Sequence, residues 1–125
     1  MIMAADNGCP RGYRMSEDTL ARLAATVSAR RSATATASYT KSLLDKGIAT
    51  CAKKLAEEAA ETVIAAVSES DERLRSEAAD LIYHLLVLLE ARNVPLEAVL
   101  SELDRRTSQS GHAEKASRPE SGGAS

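Results

Sequence analysis

Five carboxylates, spaced as Glu57-Glu58-x-x-Glu61 and Glu77-x-x-Asp80, are the residues of this sequence best arranged to do chemistry together. On a helix turning 100° per residue, Lys54, Glu58, Glu61 and Ala65 fall within about 60° of one another, with Glu57 flanking the stripe. The opposite arc carries Leu55, Ala56, Ala59, Ala60, Val63, Ala66 and Val67, so the segment reads as an amphipathic helix with an acidic polar face. An acidic stripe alone is ordinarily a solvated surface. The second pair is more informative. Around Glu77 and Asp80 stand Leu74, Ala78, Leu81, Ile82, Leu85 and Leu88, and a helix apolar on nearly every side is expected to be buried. Two acids one turn apart on a buried helix are costly unless something positive meets them.

Folded as an antiparallel hairpin with its centre near Glu69, the two segments place Glu61 level with Glu77 and Glu58 level with Asp80. Four carboxylates then converge in two rungs. At an effective dielectric of 20 each close like-charge pair is unfavourable by about 4 kcal/mol, which calls for a cation or a proton. All-oxygen ligation points to Mg²⁺ or Mn²⁺, since neither paired His nor Cys recommends zinc or a softer metal. The Glu-x-x-His pairs of a di-iron bundle are absent. His84 lies on the face of Glu77 and Asp80, one turn further on. It either orients a metal carboxylate, touches a substrate phosphate, or is a satisfied, partly buried histidine. Lys53 and Lys54 are candidates for phosphate oxygens and would equally serve as surface lysines. Tyr83 is expected to point elsewhere, into core or interface.

The elements that must position these groups are helical. Residues 1–15 read as an irregular, disordered leader without apolar periodicity, and Ser16-Glu17-Asp18 supplies a cap and acidic first turn for a helix through Val27. Met15, directly before that cap, is a candidate start of the chain. Residues 31–37 read as a loop. Ser38 caps a short helix ending at Gly47. Long helices are expected from Ile48 to about Ser68 and, after a polar break capped at Ser70, from Asp71 to about Arg92. Asn93-Val94-Pro95 ends the second, with Pro95 suited to the first turn of a last helix. There, Leu96, Val99, Leu100 and Leu103 have the spacing of one buried stripe. No strand signal competes. The domain is expected over 16–106, with 107–125 a polar and largely disordered tail.

Composition bounds the rest. The chain has 125 residues, no Phe or Trp and three Tyr, so its core is built from Leu, Val, Ile and Ala. A formal net charge of -2 removes the footprint that sequence-independent nucleic-acid or anionic-membrane binding needs. No apolar run approaches the ~20 residues of a membrane span, and no secretory h-region is present, so the cytoplasm is the expected compartment. Cys9 and Cys51 suggest neither a disulfide framework nor a zinc site. So small an ordered part, carrying a helix apolar on every side, is expected to be an all-α hairpin-based bundle completed by forming a homodimer.

The runs KSLLDKGIATCAKKLAEEAAETVIAA and SEAADLIYHLLVLLEARNVPLEAVLSELDRR, with SQSGHAEKASR in the tail, resemble the phosphoribosyl-ATP pyrophosphatase family of histidine biosynthesis, within the all-α MazG-type nucleotide pyrophosphohydrolases. The resemblance covers about residues 17–118. It implies Glu58, Glu61, Glu77 and Asp80 as Mg²⁺ ligands, with Glu57 either just outside them or acting as base for the attacking water. It also implies hydrolysis of phosphoribosyl-ATP to phosphoribosyl-AMP and pyrophosphate. Ala56 stands where relatives often have Gly, Ile48 where Pro is common, and His112 where Leu is usual; Lys115 and Arg118 either close over phosphate or belong to a frayed tail. Two other functions fit the acidic pocket alone. One is a house-cleaning nucleoside triphosphate pyrophosphatase, and the other a non-catalytic helical dimerisation module.

Overall fold

Local capping chemistry sets where two of the helices begin. The computed structural model describes the backbone of residues 12–108 and the side chains of residues 19–108. It contains α1 (Gly12–Ala29), a 3-10 turn (Arg30–Ser32), α2 (Tyr39–Lys46), α3 (Ile48–Ser68), α4 (Asp71–Ala91) and α5 (Leu96–Thr107), with no strand among the described residues. The chain divides between Val94 and Pro95 into two compact units. Most of the leader and the tail beyond Ser108, with Lys115 and Arg118, lie outside the described residues.

Three of the expected punctuation marks are found in place. The Ser38 hydroxyl accepts from the Lys41 backbone N–H at 3.1 Å, and Ser70 accepts from Arg73 N–H at 3.1 Å. Gly47 joins α2 to α3 at φ 99°, a conformation that L side chains rarely adopt. The start of α1 is a correction: the helix begins at Gly12, so residues 12–15 are helical and Ser16 lies inside it. A serine that can cap is also tolerated within a helix, and nothing in Tyr13-Arg14-Met15 stops the helix from extending back to the glycine. Pro95 is the residue capping α5, one position earlier than expected.

In the first unit α3 and α4 pack antiparallel along their length, α1 lies against α4, and α2 packs on both α3 and α4. Val27, Leu43, Cys51, Ala65, Leu86 and Val87 form the buried apolar core. Cys51 packs there as a small apolar residue, its thiol reaching the Leu43 carbonyl at 3.3 Å. The face of α3 turned toward α4 carries Cys51, Leu55, Glu58, Thr62 and Ala65, so Glu58 of the acidic stripe looks into the hairpin while Glu57 and Glu61 stay exposed and Val63 and Val67 on the apolar arc are 62% and 77% exposed. The expectation of an α4 buried all round is likewise corrected, because Ile82 is 42% exposed. One hairpin covers only one side of each helix. In the second unit no residue of α5 is buried, and Leu103 of the expected stripe is 49% exposed; an amphipathic helix cannot bury its own apolar face.

The end of α4 is fixed from outside. Asn93 takes φ 60°, with Val94 N–H returning to Leu89 O at 2.9 Å and Asn93 N–H to Glu90 O at 3.0 Å, a Schellman closure using Asn in place of Gly. Arg31 then grips that end: Nε donates to the Glu90 carboxylate at 2.6 Å, while Nη2 donates to the Glu90 carbonyl and to Asn93 Oδ1. A guanidinium at a helix C-terminus adds a second donor to a terminal carbonyl and meets the negative end of the dipole. Because Arg31 is partly exposed, replacing it with Ala should cost about 1 kcal/mol after solvent screening, a fall in Tm of roughly 5 °C for a domain this size. Thermal denaturation followed by circular dichroism checks this, and an unchanged Tm would mean the grip carries no stability.

Candidate active site

Glu58 on α3 and Glu77 and Asp80 on α4 bring one carboxylate oxygen each to within 4.8 Å of one another. The antiparallel register does this, and Thr62 buttresses it: its hydroxyl lies 2.8 Å from the Glu58 carbonyl and 3.2 Å from the Glu77 carbonyl across the hairpin. Glu61, expected as a fourth ligand, is exposed and stands against the Glu77 carboxyl rather than inside this trio. Glu57 is exposed and held by Lys54 at 3.3 Å. Lys53 is exposed.

The electrostatics are those of an acid cluster short of positive charge. Burial pushes the Glu58 carboxyl up, and repulsion from Glu61 and Asp80 adds to it. Glu77 is 5% exposed, and its pKa is also raised, first by burial and then by the Glu61 carboxyl beside it, with Arg73 pulling the other way. Arg73 Nη2 binds Glu77 Oε2 at 2.8 Å, while its Nε reaches Glu69 at 3.3 Å. The other oxygen, Glu77 Oε1, is buried without a hydrogen-bond partner among the described residues. An orphaned buried carboxylate oxygen among three converging acids fits a hard cation, which takes oxygen ligands and offsets their mutual repulsion. The cluster can hold a metal ion.

Beside the acids opens a cavity of about 580 Å³, walled by α1, the 3-10 turn, α2, α3 and α4. Glu58 and Asp80 form one part of its wall and Arg30 another; Leu23, Val27, Tyr39 and Tyr83 supply apolar and aromatic surface. His84, 6% exposed, lines it as well. Its ring sits edge-on to Tyr83 at 4.9 Å and to Tyr39 at 6.2 Å, and its Nδ1 is buried without a hydrogen-bond partner among the described residues. Burial, then the nearby Lys54 charge, pushes its pKa down, so the ring is neutral at pH 7. Tyr83 corrects the expectation that it points elsewhere. It lines this cavity and hydrogen-bonds Thr40, which pins α2 to α4.

The α1 and α2 contribution was the part not found in the sequence. Arg30, Tyr39 and Thr40 lie far from the acids along the chain, and only tertiary packing brings them to the site. The one local signal was the Ser38 cap, which places Tyr39 and Thr40 in the first turn of α2.

Residues 20–107 match the phosphoribosyl-ATP pyrophosphohydrolase family. The chain belongs to that family. It is similar to the phosphoribosyl-ATP pyrophosphatase of Azorhizobium caulinodans, at 61% identity over 86% of this chain and the whole of the relative. It is similar to those of Erythrobacter litoralis, at 57% over 81% of this chain and 97% of the relative, and Zymomonas mobilis, at 53% over 86% of this chain and all of the relative. Membership in this all-α family agrees with the helical fold and with the resemblance read from the acidic motifs.

The raised Glu58 pKa has a signed consequence. In metal-free protein the folded state holds this proton above the ordinary value of 4.5, so folded binds more protons than unfolded and stability falls as pH rises through that window. Glu58→Gln should therefore raise Tm at neutral pH in chelator and flatten its decline as pH rises above 4.5. The lowered His84 pKa acts with the opposite sign in both proteins and cancels in the comparison. Parallel Tm profiles for the two proteins would show that Glu58 is not strained by its neighbours.

Proposed function

We propose that this protein hydrolyses phosphoribosyl-ATP to phosphoribosyl-AMP and pyrophosphate, an early step of histidine biosynthesis, using Mg²⁺ held by Glu58, Glu77 and Asp80 with Glu61 completing the set. The observation that carries the reading is the meeting of those three carboxylates beside a nucleotide-sized cavity, in a chain of this family. Bound Mg²⁺ supplies polarisation of the phosphoryl oxygens and offsets charge on the leaving pyrophosphate. The protein's own groups do the rest. Glu57 takes a proton from the attacking water as the new P–O bond forms and the bridging P–O bond of the α,β-anhydride breaks. Lys54, held beside Glu57, faces the phosphate chain, and His84 offers Nδ1 to the substrate. Lys53 remains a candidate for outer phosphate oxygens.

The reading includes a homodimer. Val63, Ile64 and Val67 on α3 and Ile82 and Leu85 on α4 form an exposed apolar surface that a second copy would cover. Among the described residues no helix is long and apolar enough to cross a membrane, and the low net charge offers no nucleic-acid footprint. A cytoplasmic enzyme acting on a small nucleotide fits both.

Pyrophosphate release should require phosphoribosyl-ATP and Mg²⁺, stop with chelator, and be much weaker with ordinary nucleoside triphosphates. Asp80→Asn should lower kcat by about 10²-fold or more with the helical content intact. Equal turnover of ordinary triphosphates would favour a general pyrophosphatase, and no turnover at all a non-catalytic module. Sedimentation equilibrium at micromolar protein should give the dimer mass. A monomer independent of concentration would remove the dimer from the reading.

A further inference from the structure

We propose that Arg30 binds a phosphate monoester carried at the far end of the substrate nucleotide, so that the cavity selects nucleotides bearing a second phosphate away from their polyphosphate chain. The proposal rests on the functional reading above and adds a specificity-determining residue to it.

Arg30 and Arg31 are neighbours with different fates. Arg31 is spent on Glu90 and Asn93, whereas the Arg30 guanidinium lines the cavity and has no ion-pair partner among the described residues. In a chain of net charge -2, with Glu58 and Asp80 on the same cavity, a free guanidinium there makes the cavity bipolar. Metal and polyphosphate belong to the acidic part. The lining also includes Leu23, Val27, Tyr39 and Tyr83, which suit the faces of a base and ribose. A polyphosphate chain would want cations along its length instead. Thr26, four residues before Arg30, lines the cavity too and adds a hydroxyl. An independent sign that this space takes a polar ligand is His84 Nδ1, buried and unpartnered on its wall. A guanidinium presents paired N–H donors that match a phosphate monoester in a forked geometry, which an ammonium cannot copy.

The test compares full-length wild type, Arg30→Ala and Arg30→Lys. With phosphoribosyl-ATP and saturating Mg²⁺, Arg30→Ala should raise KM by about 10- to 100-fold, the worth of charge-assisted hydrogen bonds, with kcat nearly unchanged and Arg30→Lys recovering part of the loss. Nuclear magnetic resonance titration, which reads millimolar binding and needs no turnover, should show that wild type binds ribose 5-phosphate and not ribose, and that Arg30→Ala binds neither. An unchanged KM, equal responses to ribose and ribose 5-phosphate, or a loss of Tm in Arg30→Ala like that of Arg31→Ala would each overturn the proposal. A wild type that binds ribose 5-phosphate through Arg30 yet lacks Mg²⁺-dependent turnover would overturn the functional reading and leave the phosphate site standing.

Discussion

Carboxylates held at matching levels of an antiparallel hairpin repel one another, and much of this molecule is arranged around that repulsion. Glu58, Glu77 and Asp80 cannot separate without breaking the α3–α4 packing that forms most of the core. Burial and neighbouring acids therefore raise the pKa of Glu58 and Glu77 instead. Arg73, one turn before Glu77, offsets part of the charge by binding one of its oxygens. It leaves the other oxygen buried and unpaired, so its grip is incomplete. Within the chain the cluster is offset by the Arg73 guanidinium and by raised pKa values, and a bound cation would relieve what remains. Charge that disfavours the empty fold is thus charge available for binding metal.

How much of this was legible in the sequence depended on the range of the interaction concerned. Ser38, Gly47 and Ser70 act on their own next few residues, and each lies where its chemistry indicated. The hairpin register was legible because two short motifs and one polar break define it. The start of α1 was not, since a capping residue and an interior serine look alike until the preceding turn is known. Apolar faces were legible as faces but not as destinations. The arc of α3 holding Val63 and Val67 reads as core, yet the chain turns the side with Glu58 and Ala65 toward α4 and leaves those valines outward. Periodicity says which residues share a side of a helix, and it is silent on which side a neighbour of the same chain will occupy.

The same limit explains the site. The acids were visible because their spacing repeats within one turn and their types are costly to bury. The α1 and α2 side of the cavity wall was not, because Arg30, Tyr39 and Thr40 come from elements other than those of the acids and have ordinary residue types for surfaces and helix starts. Two adjacent arginines look equivalent in a sequence. Only the fold assigns one to the end of α4 and the other to the cavity.

The two halves of the site also differ in what holds them. The carboxylates sit on helices of 21 residues packed against each other, long enough to be fixed by side-chain burial along several turns. Tyr39 and Thr40 sit on α2, which has eight residues and is too short to persist alone. What keeps α2 in place is its Ser38 cap, the left-handed Gly47 at its end, Leu43 in the core and the Thr40–Tyr83 hydrogen bond. The acid cluster is therefore anchored by bulk packing, and the α2 part of the cavity wall by a few directional contacts. A mutation at Ser38 or Thr40 would loosen the cavity without moving an acid, so substrate affinity can drift in this fold while the carboxylate geometry stays fixed.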